Sequence, residues 1–428
     1  MQDSPSPTEI SDKFRRKRNQ ILDAAAREIN RRGLKGLTLV EVARAVGLNT
    51  PSVTYYFRRK DLLAEAAMER SIERWGALVA RAEAEPDPRR AVRALIHAYL
   101  GLSAGLRRGQ EPPLALLSEL RALNRDSRAR LMTGYEGLLR RVAALFGPAP
   151  DRSARAGQLA RAYVLLDNLH WSRTWLPYYS VSDFPRVETQ LMHLYDGGLA
   201  VAGAAWAPRP LPAAPDSDPD SNPDSNPGLT PEAAPAPGGE TSRETYLRAA
   251  TLEINERGYR GASVERIAAR LNLSKGSFYH HLSGKDDLVL ACFDRSYARV
   301  SAVQKSAMAG PGRGWDRLCS AAETLISVQF DARFPLLRTT ALQVLPEDLR
   351  PGIIRRSNRM AQRFAGMMID GIIDGSIRPV DPLIASQCLM AAINAGFDFR
   401  HWAARRPDPE TARALYAAPL FFGLFDRT

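Results

Sequence analysis

Two short runs of the sequence carry small polar and aromatic side chains at a spacing suited to contacts with nucleic acid. The first, LNTPSVTYYF, covers residues 48–57, and the second, LSKGSFYHHL, covers residues 273–282. If each run contains a short helix, an apolar i, i+4 pair faces inward and polar groups remain outside. Such groups can reach base edges, thymine methyl groups and phosphates in a DNA groove. They are Thr50, Ser52, Thr54, Tyr55 and Tyr56 in the first run, and Lys275, Ser277, Tyr279, His280 and His281 in the second.

The residues ahead of each run predict the helix and the turn that would hold it in place. Thr38 and Glu41 have the spacing of a capping box at the start of a helix, and Ser263 stands at the equivalent place in the second region. Gly47 and Asn272 then end that helix, because Gly and Asn most readily take the left-handed conformation. The sequence therefore predicts a helix-turn-helix in both regions.

The two regions belong to an internal duplication. Laid over each other without gaps, they match at a constant interval of about 225 residues. The residues that recur include Asn30 as Asn255, Gly33 as Gly258 and Lys60 as Lys285. Each of these lysines begins the helix after the polar run, where an ammonium group and free backbone N–H groups can hold a phosphate.

The length of 428 residues is too great for one ordinary core, so two or more folding units are expected. Between the copies, residues 207–240 are dense in Pro, Asp, Ser and Asn and predict a semi-extended linker. Helical periodicity dominates elsewhere, which favours an all-α protein. The predicted organisation is a disordered tail at 1–13, a first helix-turn-helix domain at 14–64, a larger helical domain at 65–206, the linker, a second helix-turn-helix domain at 241–290 and a second helical domain at 291–428.

The formal net charge of +12 favours a polyanionic partner, of which nucleic acid is the commonest. The three cysteines form no C-x-x-C pair and the six histidines have no metal-ligand spacing, so no disulfide framework, metal site or cofactor is expected. No apolar run of membrane-spanning length and no apolar signal segment occur. A cytoplasmic location without a membrane partner is therefore predicted.

The stretches TLVEVARAVGLNTPSVTYYFRRKDLL and SVERIAARLNLSKGSFYHHLSGKDDL resemble the DNA-binding signature of bacterial TetR/AcrR-type transcriptional regulators. The resemblance covers about 50 residues in each half. It implies a three-helix DNA-binding head in each half, with a larger helical domain behind it that dimerises and binds a small effector.

Carried over by position, the resemblance also implies roles for individual residues. Base contacts fall to Thr50, Pro51 and Thr54, and to Lys275, Gly276 and Tyr279. Phosphate contacts fall to Thr38, Ser52, Tyr55 and Lys60, and to Ser263, Ser277, His280 and Lys285. Thr54, His281 and Leu282 depart from the residues usual in the family, so the two heads are expected to prefer different bases.

The two larger helical domains contain aromatic stretches, AYVLLDNLHWSRTWLPYY and AAINAGFDFRHW. Aromatic residues at helical spacing are more often core or interface than ligand contacts, but the family analogy makes them candidates for an effector pocket. Because few charged residues interrupt these helices, an apolar or aromatic effector is expected. The candidate effector-binding residues are Tyr163, His170, Trp171, Trp175, Phe397 and Trp402.

The leading hypothesis is a transcriptional repressor that binds double-stranded operator DNA and releases it when the effector binds. Its two halves would form an intramolecular pseudo-dimer, or like halves would pair between two chains in a homodimer. One alternative keeps one head as a DNA reader and the other half as an interaction module. An enzyme that uses the helical bundle as an active site is disfavoured, because neither a phosphate-binding glycine loop nor H-E-x-x-H occurs.

Overall fold

The computed structural model describes residues 7–211, 243–259, 261–271, 284–331, 335–338, 345 and 349–425. Throughout these residues the regular structure is helical, and the one β-type contact is an isolated antiparallel bridge between Ala200 and Ile377. The predicted all-α fold with two tandem units is confirmed. None of the described helices is both long enough and apolar enough to cross a membrane.

The first unit begins with a three-helix head. Its helices are α1 (Pro7–Gly36), α2 (Leu39–Ala45) and α3 (Thr50–Tyr56). Helix α1 starts inside the segment predicted as a disordered tail, and Gly33 interrupts it with a φ of 66°. The buried side chains of the head, among them Ile21, Val42 and Val53, share a core with residues such as Leu63 and Leu131 of the helices behind the head. Five longer helices follow: α4 (Lys60–Glu83), α5 (Pro88–Arg107), α6 (Arg125–Ala144), α7 (Arg152–Trp175) and α8 (Phe184–Gly197).

The second unit repeats this plan. The described helices of its head are α9 (Arg243–Arg257) and α10 (Val264–Arg270). The helices behind the head are α11 (Lys285–Ala309), α12 (Gly314–Asp331), α13 (Arg350–Ile373), α14 (Pro382–Ala403) and α15 (Pro409–Phe421). Head residues such as Tyr246 and Ile254 belong to the main hydrophobic core, which also runs through α4, α5, α7 and α8 of the first unit.

The two units pack against each other through α7 and α8 on one side and α14 and α15 on the other. The rings of Tyr163 and Phe399 stack across this junction with centroids 4.4 Å apart. The Trp171 indole N–H donates to the side-chain oxygen of Gln387 over 3.1 Å. The junction is therefore a four-helix interface with both apolar packing and directed polar contacts.

The chain leaving α8 runs directly onto the second unit. Leu199 and Ala200 donate their N–H groups to the Phe421 carbonyl over 3.1 and 2.9 Å. Gly198 has a φ of 59°, and a Cβ there would lie 2.5 Å from that same carbonyl, so the close approach requires glycine. Farther along, Arg209 N–H donates to Ser320 Oγ over 2.9 Å. The first residues of the predicted linker, 207–211, are thus packed on the second unit, and residues 212–240 lie outside the described part.

Candidate nucleic-acid interface and buried cavity

The turn between α2 and α3 is fixed by local hydrogen bonds. Gly47 has a φ of 64°, and its N–H donates to the Arg44 carbonyl over 3.2 Å. The next N–H, that of Leu48, donates to the Ala43 carbonyl over 2.9 Å. These two bonds around a left-handed glycine form a Schellman motif, which ends α2 and reverses the chain.

The caps of α2 and α3 hold the two helices at this angle. Thr38 accepts from Glu41 N–H over 3.1 Å, and Asn49 accepts from Ser52 N–H over 2.9 Å. The predicted capping box at Thr38 is only half formed, since the Glu41 carboxylate binds the Arg44 guanidinium at 2.8 Å instead of returning to the cap. Both caps still satisfy N–H groups at the helix starts.

The outer face of α3 presents the predicted contact residues in different ways. Tyr55 is 76% exposed, and Pro51 is exposed as well. Thr50, Ser52, Thr54 and Tyr56 are half-buried, and Thr38 at the start of α2 is exposed. The Thr54 hydroxyl donates to the Thr50 carbonyl over 2.9 Å, which leaves its methyl group and its oxygen lone pairs for a partner.

A basic groove runs along this face between α1 and α3. Ser52, Tyr55 and Tyr56 form one wall, and the other is formed by side chains of α1, namely Lys13, Arg16, Lys17 and Gln20. Lys60, at the first position of α4, is exposed, and no hydrogen bond or ion pair joins it to the described residues. Cations beside hydroxyl groups at such a groove suit the phosphates of a DNA backbone.

The second head keeps the same plan where it is described. Ser263 caps α10 by accepting from Arg266 N–H over 3.3 Å. Lys285 at the start of α11 is half-buried, and its ammonium donates to the Ala262 carbonyl over 2.7 Å and lies 4.8 Å from the Tyr259 ring centroid. The predicted contacts of the second polar run lie outside the described residues; these are Lys275, Gly276, Ser277, Tyr279, His280 and His281.

A cavity of about 400 Å³ lies between the two units. Its wall combines α4, α6, α7 and the segment between α5 and α6 with α9 and α14. Four of the six candidate effector residues line it: Tyr163, His170, Trp171 and Phe397. The other two do not line it: Trp175 lies against Tyr179 with ring centroids 5.8 Å apart, and Trp402 stacks at 4.5 Å on Phe399, a residue of the wall.

The cavity wall also carries charged residues that sequence reasoning missed. Asp398 binds the guanidinium groups of Arg121, at 2.5 Å, and of Arg338. Burial and the nearby Asp398 raise the pKa of Asp167 to about 8, against the opposing charge of Arg121. A signal was present, because both aspartates interrupt the aromatic stretches from which the effector residues were chosen.

His170 is neutral at physiological pH in this wall. Burial, together with the charge of Arg173, lowers its pKa to about 4, although a hydrogen bond with the Leu166 carbonyl opposes the shift. The Nε2 atom of the ring is buried and has no hydrogen-bond partner among the described residues. His170 therefore carries an unpaired acceptor within the cavity wall.

Matching loops connect the cavity wall to the two heads. Asn30 donates to the Leu114 carbonyl over 2.8 Å and accepts from Leu116 N–H over 2.9 Å. In the second unit Asn255 donates to the Leu336 carbonyl and accepts from Arg338 N–H, both over 2.9 Å. Serines of α4 and α11 complete each loop, because Ser71 accepts from Ala115 N–H and Ser296 accepts from Leu337 N–H.

Comparison with known proteins gives matches to both halves. The family model described as bacterial regulatory proteins, tetR family, matches residues 21–67 and 247–292. The HTH-type transcriptional regulator BetI of Burkholderia thailandensis is 33% identical over 165 residues, which span 37% of this chain and 80% of that protein. BetI of Burkholderia ambifaria strain MC40-6 is 39% identical over 84 residues, 19% of this chain and 43% of that protein.

Solved structures match about two fifths of the chain. One is AibR in complex with isovaleryl coenzyme A and operator DNA, with 20% identity, a TM-score of 0.36, and coverage of 42% of this chain and 98% of that one. Another is the TetR family transcriptional regulator PfmR from Thermus thermophilus, with 24% identity, a TM-score of 0.33, and coverage of 41% of this chain and 96% of that one.

Proposed function

This chain belongs to the tetR family of bacterial regulatory proteins and is a DNA-binding transcriptional regulator, and we propose that it is a repressor whose two heads are paired within one chain. In this proposal a small molecule in the cavity between the halves releases the DNA. The observation that carries it is the four-helix junction of α7 and α8 with α14 and α15.

The junction supports pairing within the chain because each half contributes two helices to it, as each subunit would in a two-fold dimer. Helix-turn-helix dimers place two recognition helices in successive major grooves, about 34 to 36 Å apart. The direct path from α8 along residues 198–211 onto the second unit favours partners from the same chain. One chain would then provide both heads of one operator complex.

Control by a ligand is supported by the segment Leu117–Ala122, which lines the cavity and contacts both heads. Toward the first head, Glu119 accepts from Leu34 N–H over 2.7 Å. Toward the second, Arg121 donates to the Asn255 carbonyl over 3.2 Å. A molecule that displaces this short segment would therefore act on α1 and α9 together, which changes the separation of the two recognition helices.

The pairing is tested by the mass of the protein bound to DNA from the promoter region next to its own gene. Light scattering of the free protein and of the complex is expected to give one chain per site. A protease site inserted within residues 212–240 provides a second measurement, because after cleavage the two halves should remain together as one copy of each. A particle with two copies of each half on a symmetric site would refute pairing within the chain.

Repression is tested on the same promoter fragment with a reporter gene. A repressor lowers expression, and deletion of the regulator raises it. Expression that falls on deletion would make the protein an activator and contradict this part of the proposal.

A second candidate function is favoured by the inward orientation of Lys285. Its ammonium group binds the Ala262 carbonyl and lies against the Tyr259 ring, whereas Lys60 is exposed. In this candidate the first head alone reads DNA, and the second half is an interaction module. A footprint that protects a single half-site would support it, and protection of two half-sites by one chain would exclude it.

A further inference from the structure

Two residues with unpaired acceptors line the cavity from one side of α7. The Asp167 carboxylate has no hydrogen bond or ion pair with any described residue, and it lines the cavity together with His170. The buried Nε2 atom of His170, one helical turn later, is likewise without a partner there. Residues three apart on a helix share a face, so both side chains belong to the same part of the cavity wall.

The other charged groups of the wall do not neutralise Asp167. Arg121 and Arg338 both bind Asp398, and Arg400 lies on the Phe397 ring at 3.9 Å and donates to the Phe397 carbonyl. Arg128 and Glu136 are exposed side chains of α6. The charge of Arg173 acts on His170 and keeps it neutral. The ionised form of Asp167 therefore has no direct counter-charge among the described residues.

Aromatic rings surround these acceptors. The Trp75 ring lies 4.5 Å from the His170 ring and stacks on Tyr99 at 5.1 Å. Tyr135 lies 6.4 Å from the His170 ring on another side, and the Tyr163 and Phe399 rings stack in the same wall. Aromatic faces attract cations and accommodate flat apolar groups.

We propose that this cavity binds one organic cation per chain, an amine with an aromatic or apolar body, whose ammonium group is held by Asp167 and by Nε2 of His170. The inference rests on the proposed function in that it names the class of its effector. An ammonium group has three donors and no acceptor, which matches the ionised form of the Asp167 carboxylate and the Nε2 lone pair of His170. Charge-assisted hydrogen bonds to a carboxylate are among the stronger ones in proteins.

Binding of such an amine is coupled to proton release. In the empty cavity burial raises the pKa of Asp167 to about 8, so the carboxyl group holds its proton at neutral pH. The ammonium ion stabilises the carboxylate, and the proton leaves to the buffer. The ionisable groups that act on this carboxyl are Asp398 of α14 and Arg121, and the carboxyl acts in turn on Tyr135, Tyr163 and Tyr416, whose raised pKa values keep them neutral.

The test uses the full chain without DNA and three probes that share one body: phenylbutylamine, phenylbutanol and phenylbutyrate. Titration calorimetry is expected to show one amine per chain, bound about tenfold or more tightly than the alcohol, with the carboxylate the weakest. Titrations in buffers of different ionisation enthalpy should show that binding of the amine releases protons from the protein at neutral pH.

Asp167→Asn should remove both the proton release and the preference for the amine, while affinity for the alcohol stays unchanged. Glu73→Gln, which changes an exposed carboxylate of α4 outside the cavity wall, should leave both in place.

Several outcomes would overturn the proposal. These are tightest binding of the carboxylate, equal binding of amine and alcohol, two amines per chain, no amine binding at millimolar concentration, or a preference that survives Asp167→Asn. Circular dichroism establishes that each variant is folded. Binding to the promoter fragment is measured separately. Selective amine binding without DNA binding would support the amine site and refute the proposed function. DNA binding without selective amine binding would refute the amine site alone.

Discussion

Asn30 and Asn255 make the same pair of hydrogen bonds to equivalent loops in the two halves. Each asparagine lies near the end of the first helix of a head, and each loop contributes to the cavity wall. The duplication therefore extends beyond the helix-turn-helix heads. It repeats the contact between the first helix of each head and the larger helical domain behind it. Because both loops line the cavity, these asparagine contacts connect both heads to the same cavity.

Replacement of either asparagine by alanine is expected to destabilise the protein. Asn30→Ala or Asn255→Ala removes two hydrogen bonds and leaves a loop carbonyl and an N–H group without partners. The expected loss is about 1–3 kcal/mol in the free energy of unfolding for each variant. Urea denaturation followed by circular dichroism measures it. Asn19→Ala, an exposed asparagine of α1, is the matched control and should change stability by less than about 0.5 kcal/mol. Equal effects in all three variants would refute the assigned role.

The two lysines at the heads should contribute unequally to DNA binding. Lys60→Ala is expected to weaken binding to every DNA sequence and to reduce the salt slope by about one, because an exposed ammonium would leave a phosphate. Lys285→Ala should have a smaller effect, since that ammonium already binds the Ala262 carbonyl. Fluorescence anisotropy over a range of salt concentrations measures both. Arg140→Ala removes an exposed charge on α6 and is the control. If Arg140→Ala weakens DNA binding as strongly as Lys60→Ala, the loss reflects the net charge of the protein and not a contact of Lys60 with a phosphate.

Thr54 should distinguish the operator from random DNA. Thr54→Ala is expected to lower operator affinity by about 1–3 kcal/mol and to spare non-specific binding. The hydroxyl proton is already donated to the Thr50 carbonyl, so Thr54→Val, which keeps a methyl group, tests whether the methyl contact alone suffices. Lys275→Ala and Tyr279→Ala should act in the same selective way on the other half-site. Equal losses of affinity for operator and for random DNA would show that these residues contact the DNA backbone instead of the bases.

The first head could be predicted from the sequence because local rules decide its shape. A threonine that caps α2, a glycine that ends it and an asparagine that caps α3 each act within a few residues, and the structure places Thr38, Gly47 and Asn49 in those roles. The side chain of Glu41 was predicted wrongly. A neighbouring arginine on the helix surface competes for its carboxylate, and this competition depends on rotamers rather than on spacing.

The cavity could not be predicted, because non-local pairing forms it. Asp398 and Arg121 form an ion pair because α14 of the second half packs on α7 of the first. The hydrophobic periodicity of a sequence does not predict such a contact between distant helices. The matching loops were missed for a different reason. Leu114 corresponds to Leu336, an interval three residues shorter than the one that relates Asn30 to Asn255, so an alignment without gaps loses them.

Asp167 should make the stability of the protein fall as the pH rises through neutrality. Its pKa is raised from 3.8 to about 8 in the folded protein, so between these values the folded state keeps a proton that the unfolded chain has lost. The slope approaches about 1.4 kcal/mol per pH unit. His170, with a pKa lowered from 6.5 to about 4, acts in the opposite direction only below about pH 6.5. Denaturation midpoints between about pH 6.5 and 8 lie above the range in which His170 acts, and Asp167→Asn should flatten the dependence there, while Asp398, whose pKa burial also raises, remains in both proteins. A variant with the slope of the native chain would contradict this assignment.

The spacing of the operator should report whether the junction or the linker sets the distance between the heads. Heads paired through α7, α8, α14 and α15 can reach only half-sites about one helical turn apart. Insertion of about five base pairs moves the second half-site to the opposite face of the DNA, and insertion of about ten restores the face but adds about 34 Å. Both insertions should reduce affinity to that of one head. If only the linker joined the halves, the longer insertion would be tolerated, because the half-sites would lie about 70 Å apart and the chain over residues 212–240 can extend to roughly 90 Å at about 3.1 Å per residue. The two half-sites should also differ in sequence, because the equivalent positions of the two heads carry Thr50 and Lys275, and Thr54 and Tyr279. A footprint on each DNA shows which half-sites are occupied. Full affinity on the operator lengthened by about one turn would rule out a rigid pair of heads.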